Sequence, residues 1–106
     1  MKWGNGMRRE EWAVKICKAL GHPVRFKIIK FLADGPHCVC VLNEDVEFSQ
    51  SNLSQHLRIL REAGLVRSEK VGLRIYYELN HDQITEFILA AENIADDLLA
   101  VLTKAQ

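Results

Sequence analysis

The chain has 106 residues, 48% of them hydrophobic and 26% charged, with 14 basic and 14 acidic side chains and a formal net charge of zero. That length gives one small domain, and the composition is that of an ordinary soluble globular protein. No apolar run approaches the roughly 18 residues of a membrane span, and three cysteines are too sparse for a disulfide scaffold, which sets aside a membrane partner and a disulfide-stapled secreted fold.

Met1 to Met7 carries no apolar signal-peptide core and reads as a flexible leader to a single domain spanning 1–106. The expected compartment is the cytoplasm, where Cys17, Cys38 and Cys40 remain thiols. Arg8 to Leu20 has helical periodicity, with Ala13, Cys17 and Leu20 on one face and Trp12, Ile16 and Ala19 on another. Gly21-His22-Pro23 stops it, and Pro23 suits the first turn of a second helix, Val24 to Ala33. After the turn Asp34-Gly35-Pro36, a short helix is expected from His37 or Cys38 to Asp45. Ser49 is a good N-cap for a third long helix, Gln50 to Ala63, with Leu53, Leu57 and Leu60 as its apolar face and Gly64 as its stop. Leu65 to Leu79 switches to period two, so a β-hairpin turning at Val71-Gly72 is predicted. The last helix runs from about Asp82 to Thr103 with the stripe Ile84, Phe87, Ile88, Ala91, Ile94, Ala95, Leu98 and Leu102. So long an apolar face, on a terminal helix of so small a chain, predicts a homodimer built through the N- and C-terminal helices.

The fold class that follows is mainly α with a β-hairpin wing, a winged helix-turn-helix. The neutral total charge hides a basic stretch from Gln50 to Tyr77 (Arg58, Arg61, Arg67, Lys70 and Arg74 against Glu62 and Glu69). It also hides a wholly acidic one, Asp82, Glu86, Glu92, Asp96 and Asp97. The first suits phosphates and the second should point away from them. Ser49, Gln50, Ser51, Asn52, Ser54 and Gln55 place short polar side chains at the start of a recognition helix, where amide and hydroxyl groups reach base edges. His56 and Arg58 extend that face, and Arg67, Lys70 and Arg74 on the hairpin would meet the backbone or minor groove of double-stranded operator DNA.

Several motifs together resemble the ArsR/SmtB family of metal-responsive repressors. They are His22-Pro23-Val24-Arg25-Phe26-Lys27-Ile28-Ile29, Cys38-Val39-Cys40, Ser49 to Leu57, Arg61 to Val66 and the wing Gly72 to Tyr77. The resemblance spans about residues 12 to 100. It implies a cytoplasmic homodimer that binds operators and releases them when metal binds. By the same resemblance Cys38 and Cys40 match the paired cysteines of the arsenic-sensing branch. That branch has a third cysteine where Asn43 stands, and often Asp where Val41 stands. Cys17 is the candidate third thiolate, within one chain or across the dimer.

Two or three thiolates select a thiophilic ion. As(III) or Sb(III) is the first expectation, by resemblance, and Cd(II), Pb(II) or Bi(III) the alternative. His37 adjoins the pair and reads more simply as a surface histidine. On a regular helix residues two apart point about 200° away from one another, so for one ion to join Cys38 and Cys40 either the segment after Pro36 is already irregular or, as expected here at least in part, binding unwinds the helix start and so shifts the recognition helix. A second family site would fall at His81, Gln83, Ile94 and Asp97, of which Gln83 and Ile94 are poor ligands, so it reads as absent.

A thiol-based redox-sensing repressor is the nearest rival. An enzyme finds no thiol activator or phosphate loop in this sequence, and a winged helix used only for protein contacts would show no salt-dependent DNA binding.

Overall fold

A computed structural model describes residues 8–42 and 52–104, apart from the side chain of Val39. Helix α1, Arg9–Leu20, is opened by the Arg8 amide, which donates to Glu11 Oε1 at 3.3 Å, and ends at Gly21, whose N–H meets the Lys18 carbonyl. Helix α2, Pro23–Phe31, starts at the proline as expected. His22 caps it, its Nδ1 accepting from the Val24 N–H at 3.1 Å. Its end is two residues earlier than the pattern suggests, which is within ordinary end fraying.

The next segment departs from expectation. His37–Cys38 forms a short strand, β1, and only Val39–Leu42 is helical (α3). β1 pairs antiparallel with the later wing strand, His37 opposite Tyr77 and Cys38 opposite Tyr76. The expected helix start at His37 or Cys38 is thus captured by a long-range ladder. Its predicted end at Asp45 lies outside the described residues.

Helix α4, Leu53–Glu62, is the expected recognition helix, shorter than read from the sequence. Asn52, not Ser49, is its N-cap: the Asn52 Oδ1 accepts from the Gln55 N–H at 3.4 Å. Asn is among the best residues for that role, and it competes successfully with the serines before it. The hairpin follows as β2, Val66–Val71, and β3, Arg74–Leu79. Val71 pairs with Arg74 across a two-residue turn in which Gly72 takes φ 64, a left-handed conformation that glycine adopts without steric cost. The sheet order is β1-β3-β2. Helix α5, Gln83–Lys104, closes the chain.

The core lies between the helices and the base of the wing. Ile28 and Ile29 from α2, Leu57 and Leu60 from α4, Val66 from β2 and Ile88 from α5 are all buried within it. α2 and α5 are also tied by an ion pair, Lys30 Nζ to Glu92 Oε2 at 2.6 Å. The outer stripe of α5 is left open: Phe87, Ile94, Leu98, Val101 and Leu102 are each about half exposed or more. None of the described helices is long and apolar enough to cross a membrane.

Candidate metal centre and nucleic-acid interface

Cys38 and Cys40 stand on either side of the strand-to-helix junction. The Cys40 amide donates to Cys38 Sγ at 3.4 Å. The Cys40 side chain first, then that amide and the positive charge of Arg74, push the Cys38 thiol below its usual pKa. The Cys38 side chain, then burial and the Cys38 charge, push the Cys40 thiol up. The expected unwinding step is therefore unnecessary: a helix would have set the thiols apart, and β1 removes the helix at that point. Cys40 is exposed while Cys38 is buried, which gives one open approach to a pair with one anchored member.

His37 takes no part in this pair. Adjacent residues on a strand point to opposite faces, and its ring packs on Phe31 with centroids 4.3 Å apart. Its Nε2 bonds Asp34 Oδ1 at 2.8 Å, and that bond, with the imidazole's charge, lowers the Asp34 pKa. Cys17 is exposed on α1 and lines an apolar groove of about 600 Å³ with Trp12, Ile16, Leu65, Ile84 and Phe87. Among the described residues no group of three His, Cys, Asp or Glu side chains is placed to hold a metal ion, and the groove that Cys17 lines includes neither Cys38 nor Cys40.

Of the predicted DNA face, Ser49, Gln50 and Ser51 lie outside the described residues. Asn52, Ser54, Gln55 and Arg58 are exposed at the start and outer side of α4. His56 is placed differently. At about 100° per residue it lies across the helix from Ser54 and Arg58, half-buried, its ring 4.5 Å from that of His22 and its Nδ1 3.2 Å from Arg25 Nη1. Arg25 in turn donates through Nε to the Ala19 carbonyl at 2.6 Å. His56 thus joins α4 to the α1–α2 corner and does not extend the polar face. On the wing, Arg67 is paired across the strands with Glu78 (2.8 Å) and reaches Asn80 (3.3 Å). Lys70 and Arg74 are exposed near the tip. Arg74 also stands beside Tyr76 and acts on both thiols. Tyr76 was not foreseen as part of the site, since nothing in its own neighbourhood in sequence pairs it with Cys38.

The His56 environment has a measurable consequence. Burial first, then His22 and Arg25, lower its pKa from the ordinary 6.5. The folded state therefore favours the neutral ring. The unfolded chain binds the extra proton at higher pH, so this group's contribution is full above about pH 6.5 and is lost as pH falls through the lowered folded value. We expect the melting temperature to drop as pH falls below about 6.5, and to drop less in His56→Gln. An equal pH dependence in the two proteins would refute this assignment.

The sequence matches the family model described as bacterial regulatory protein, arsR family, over residues 22–68. An uncharacterized HTH-type transcriptional regulator of Methanocaldococcus jannaschii is 36% identical over 89 residues, 83% of this chain and 100% of that protein. The arsenical resistance operon repressor of Bacillus subtilis is 43% identical over 68 residues, 63% of this chain and 65% of that protein. Among solved structures, that of Rv0081 from Mycobacterium tuberculosis superposes with a TM-score of 0.76 at 30% identity, covering 89% of this chain and 96% of the other.

Proposed function

From the premise that this chain belongs to the arsR family of bacterial helix-turn-helix regulators, we propose that it is a homodimeric repressor released from operator DNA when a trivalent arsenical binds Cys38 and Cys40. The observation that carries this is the placement of Cys38 and Cys40 across a strand-to-helix junction beside the wing strand β3, with the Cys40 amide on Cys38 Sγ. Arsenous acid, As(OH)3, exchanges two hydroxides for the two thiolates, the two thiol protons leave in two waters, and arsenic keeps its third hydroxide. Antimonite reacts the same way, and soft sulfur donors with no carboxylate among them suit Cd(II), Pb(II) or Bi(III) next. The similarity to the B. subtilis arsenical repressor supports arsenic before cadmium.

The DNA-reading elements are the N-terminal turn of α4, with Asn52, Ser54, Gln55 and Arg58, and the wing cations Lys70 and Arg74; Ser49, Gln50 and Ser51 precede the helix in the same segment. The dimer forms where α1 and α5 leave apolar surface open, along the groove beside Cys17 and the outer stripe of α5. A protein of this kind works on DNA in the cytoplasm and performs no catalysis.

The test is fluorescence anisotropy of the reduced protein on its own upstream promoter DNA, titrated with arsenite. Release near one equivalent per site supports the reading. Tight binding unmoved by arsenite removes the arsenic assignment. Release by peroxide in metal-free buffer, reversed by dithiothreitol, would replace it with thiol oxidation. Cys17→Ser separates a two-thiol from a three-thiol site. Because the groove that Cys17 lines includes neither Cys38 nor Cys40, we expect arsenite affinity within about threefold of wild type, well under 1.4 kcal/mol. A loss of tenfold or more would make Cys17 a ligand supplied across the dimer.

A further inference from the structure

Cys38 stands opposite Tyr76 in the β1–β3 ladder. Arg74 is the next residue along the same face of β3, because side chains of a strand alternate. Arg74 is also the first residue after the wing turn, paired with Val71. One exposed guanidinium thus lies between the thiol pair and the tip of the hairpin.

The geometry points to Arg74 as the residue that couples inducer to DNA, shared between a backbone phosphate in the DNA-bound state and the coordinated sulfurs in the inducer-bound state. This rests on the reading of Cys38 and Cys40 as the inducer site. Before binding, Cys38 Sγ accepts from the Cys40 amide at 3.4 Å, and both sulfurs carry their hydrogens. Once both protons have left with water, each sulfur keeps free lone pairs, and metal-bound atoms are regularly oriented by outer donors of this kind. The planar fork of an arginine can satisfy sulfurs or a phosphate, but its fixed geometry does not serve both at once. Binding therefore draws the wing tip towards β1 and removes a phosphate contact.

Two features favour this route over one through the recognition helix. Among the described residues α3 packs chiefly on β3 and β1, whereas α4 packs on α1, α2 and β2. The other wing cations are also differently placed. Lys70 pairs with Ile75, on the opposite face of the hairpin from Arg74 and Tyr76, and Arg67 is held by Glu78 and Asn80.

The test compares operator affinity with and without arsenite in wild type, Arg74→Met and Arg74→Lys, at about 50 mM salt so that loss of one phosphate contact leaves binding measurable. In wild type, arsenite is expected to weaken binding on the order of 10- to 100-fold. Arg74→Met should bind several-fold more weakly without arsenite, with a salt slope smaller by about one, and arsenite should change its affinity by less than about threefold. Arg74→Lys, which keeps the charge but not the fork, should recover most of the DNA affinity and only part of the arsenite effect. A wild-type arsenite ratio in Arg74→Met overturns the role of Arg74 and leaves the arsenic reading intact. If wild type ignores arsenite but releases in cadmium, the arsenic reading fails and the same ratios taken with cadmium decide the role of Arg74. If wild type stays bound in both, both inferences fall.

Discussion

A protein carrying Cys38→Ser and Cys40→Ser is expected to hold operator DNA as tightly as wild type, and to remain bound at arsenite concentrations that release wild type completely. Serine is nearly isosteric with cysteine, and its oxygen can still accept from the residue-40 amide that now meets Cys38 Sγ at 3.4 Å. The junction between β1 and α3 should therefore survive. Arsenite affinity should not, because an alcohol is a hard donor that stays protonated near neutral pH, whereas the thiolates are soft. We expect arsenite binding, followed by calorimetry, to weaken at least about 100-fold, close to 3 kcal/mol. Cys40→Ser alone should lose most of this, since the exposed thiol is the one that closes the chelate. Undiminished release of the double variant would place the inducer site elsewhere in the molecule.

Leu98→Glu should have the second-largest effect, on assembly and through it on DNA. Phe87, Ile94, Leu98 and Val101 fall on one stripe of α5 and are exposed by 48%, 61%, 59% and 65%. Phe87 continues that stripe into the groove beside α1. Covering the exposed half of each side chain contributes roughly 1 kcal/mol per residue, and a two-fold interface counts each twice. A carboxylate at position 98 would face its symmetry mate in an apolar setting or force the helices apart. Sedimentation equilibrium should show a monomer at micromolar concentration, with the monomer fold retained because Leu98 lies outside the core. Operator affinity should fall by more than about 100-fold, since one half-site contact replaces two. A dimer of wild-type stability would rule out this face as the interface.

The elements that carry periodicity were legible in the sequence. α1, α2, the wing and α5 fall within one or two residues of the boundaries expected from apolar spacing, Pro23, Gly21 and the period-two run of the hairpin. What escaped was non-local or locally degenerate. A two-residue strand has no period to read, and β1 exists only because Cys38 meets Tyr76, far along the chain. Ser49, Ser51, Asn52 and Ser54 are all good caps, and which one wins depends on where the Leu53, Leu57 and Leu60 face must sit in the core. His56 looked like part of the polar face because it is polar. Its angular position between the apolar and polar stripes, next to an arginine on α2, decides otherwise. The cysteine pair was visible at once, but the relation that makes it a chelate is a strand-to-helix junction that residue types alone do not announce.

The brevity of β1 also bears on speed. Among the described residues it is an edge strand held to β3 through two residue pairs, and segments with so few backbone bonds open at a free-energy cost far below that of unfolding the whole domain. An inducer can reach the anchored sulfur during such local openings while the helices of the core stay shut. On the proposed reading, access of the inducer to Cys38 is then set by the fraying of a short sheet edge, on microseconds to milliseconds, and not by the stability of the whole domain.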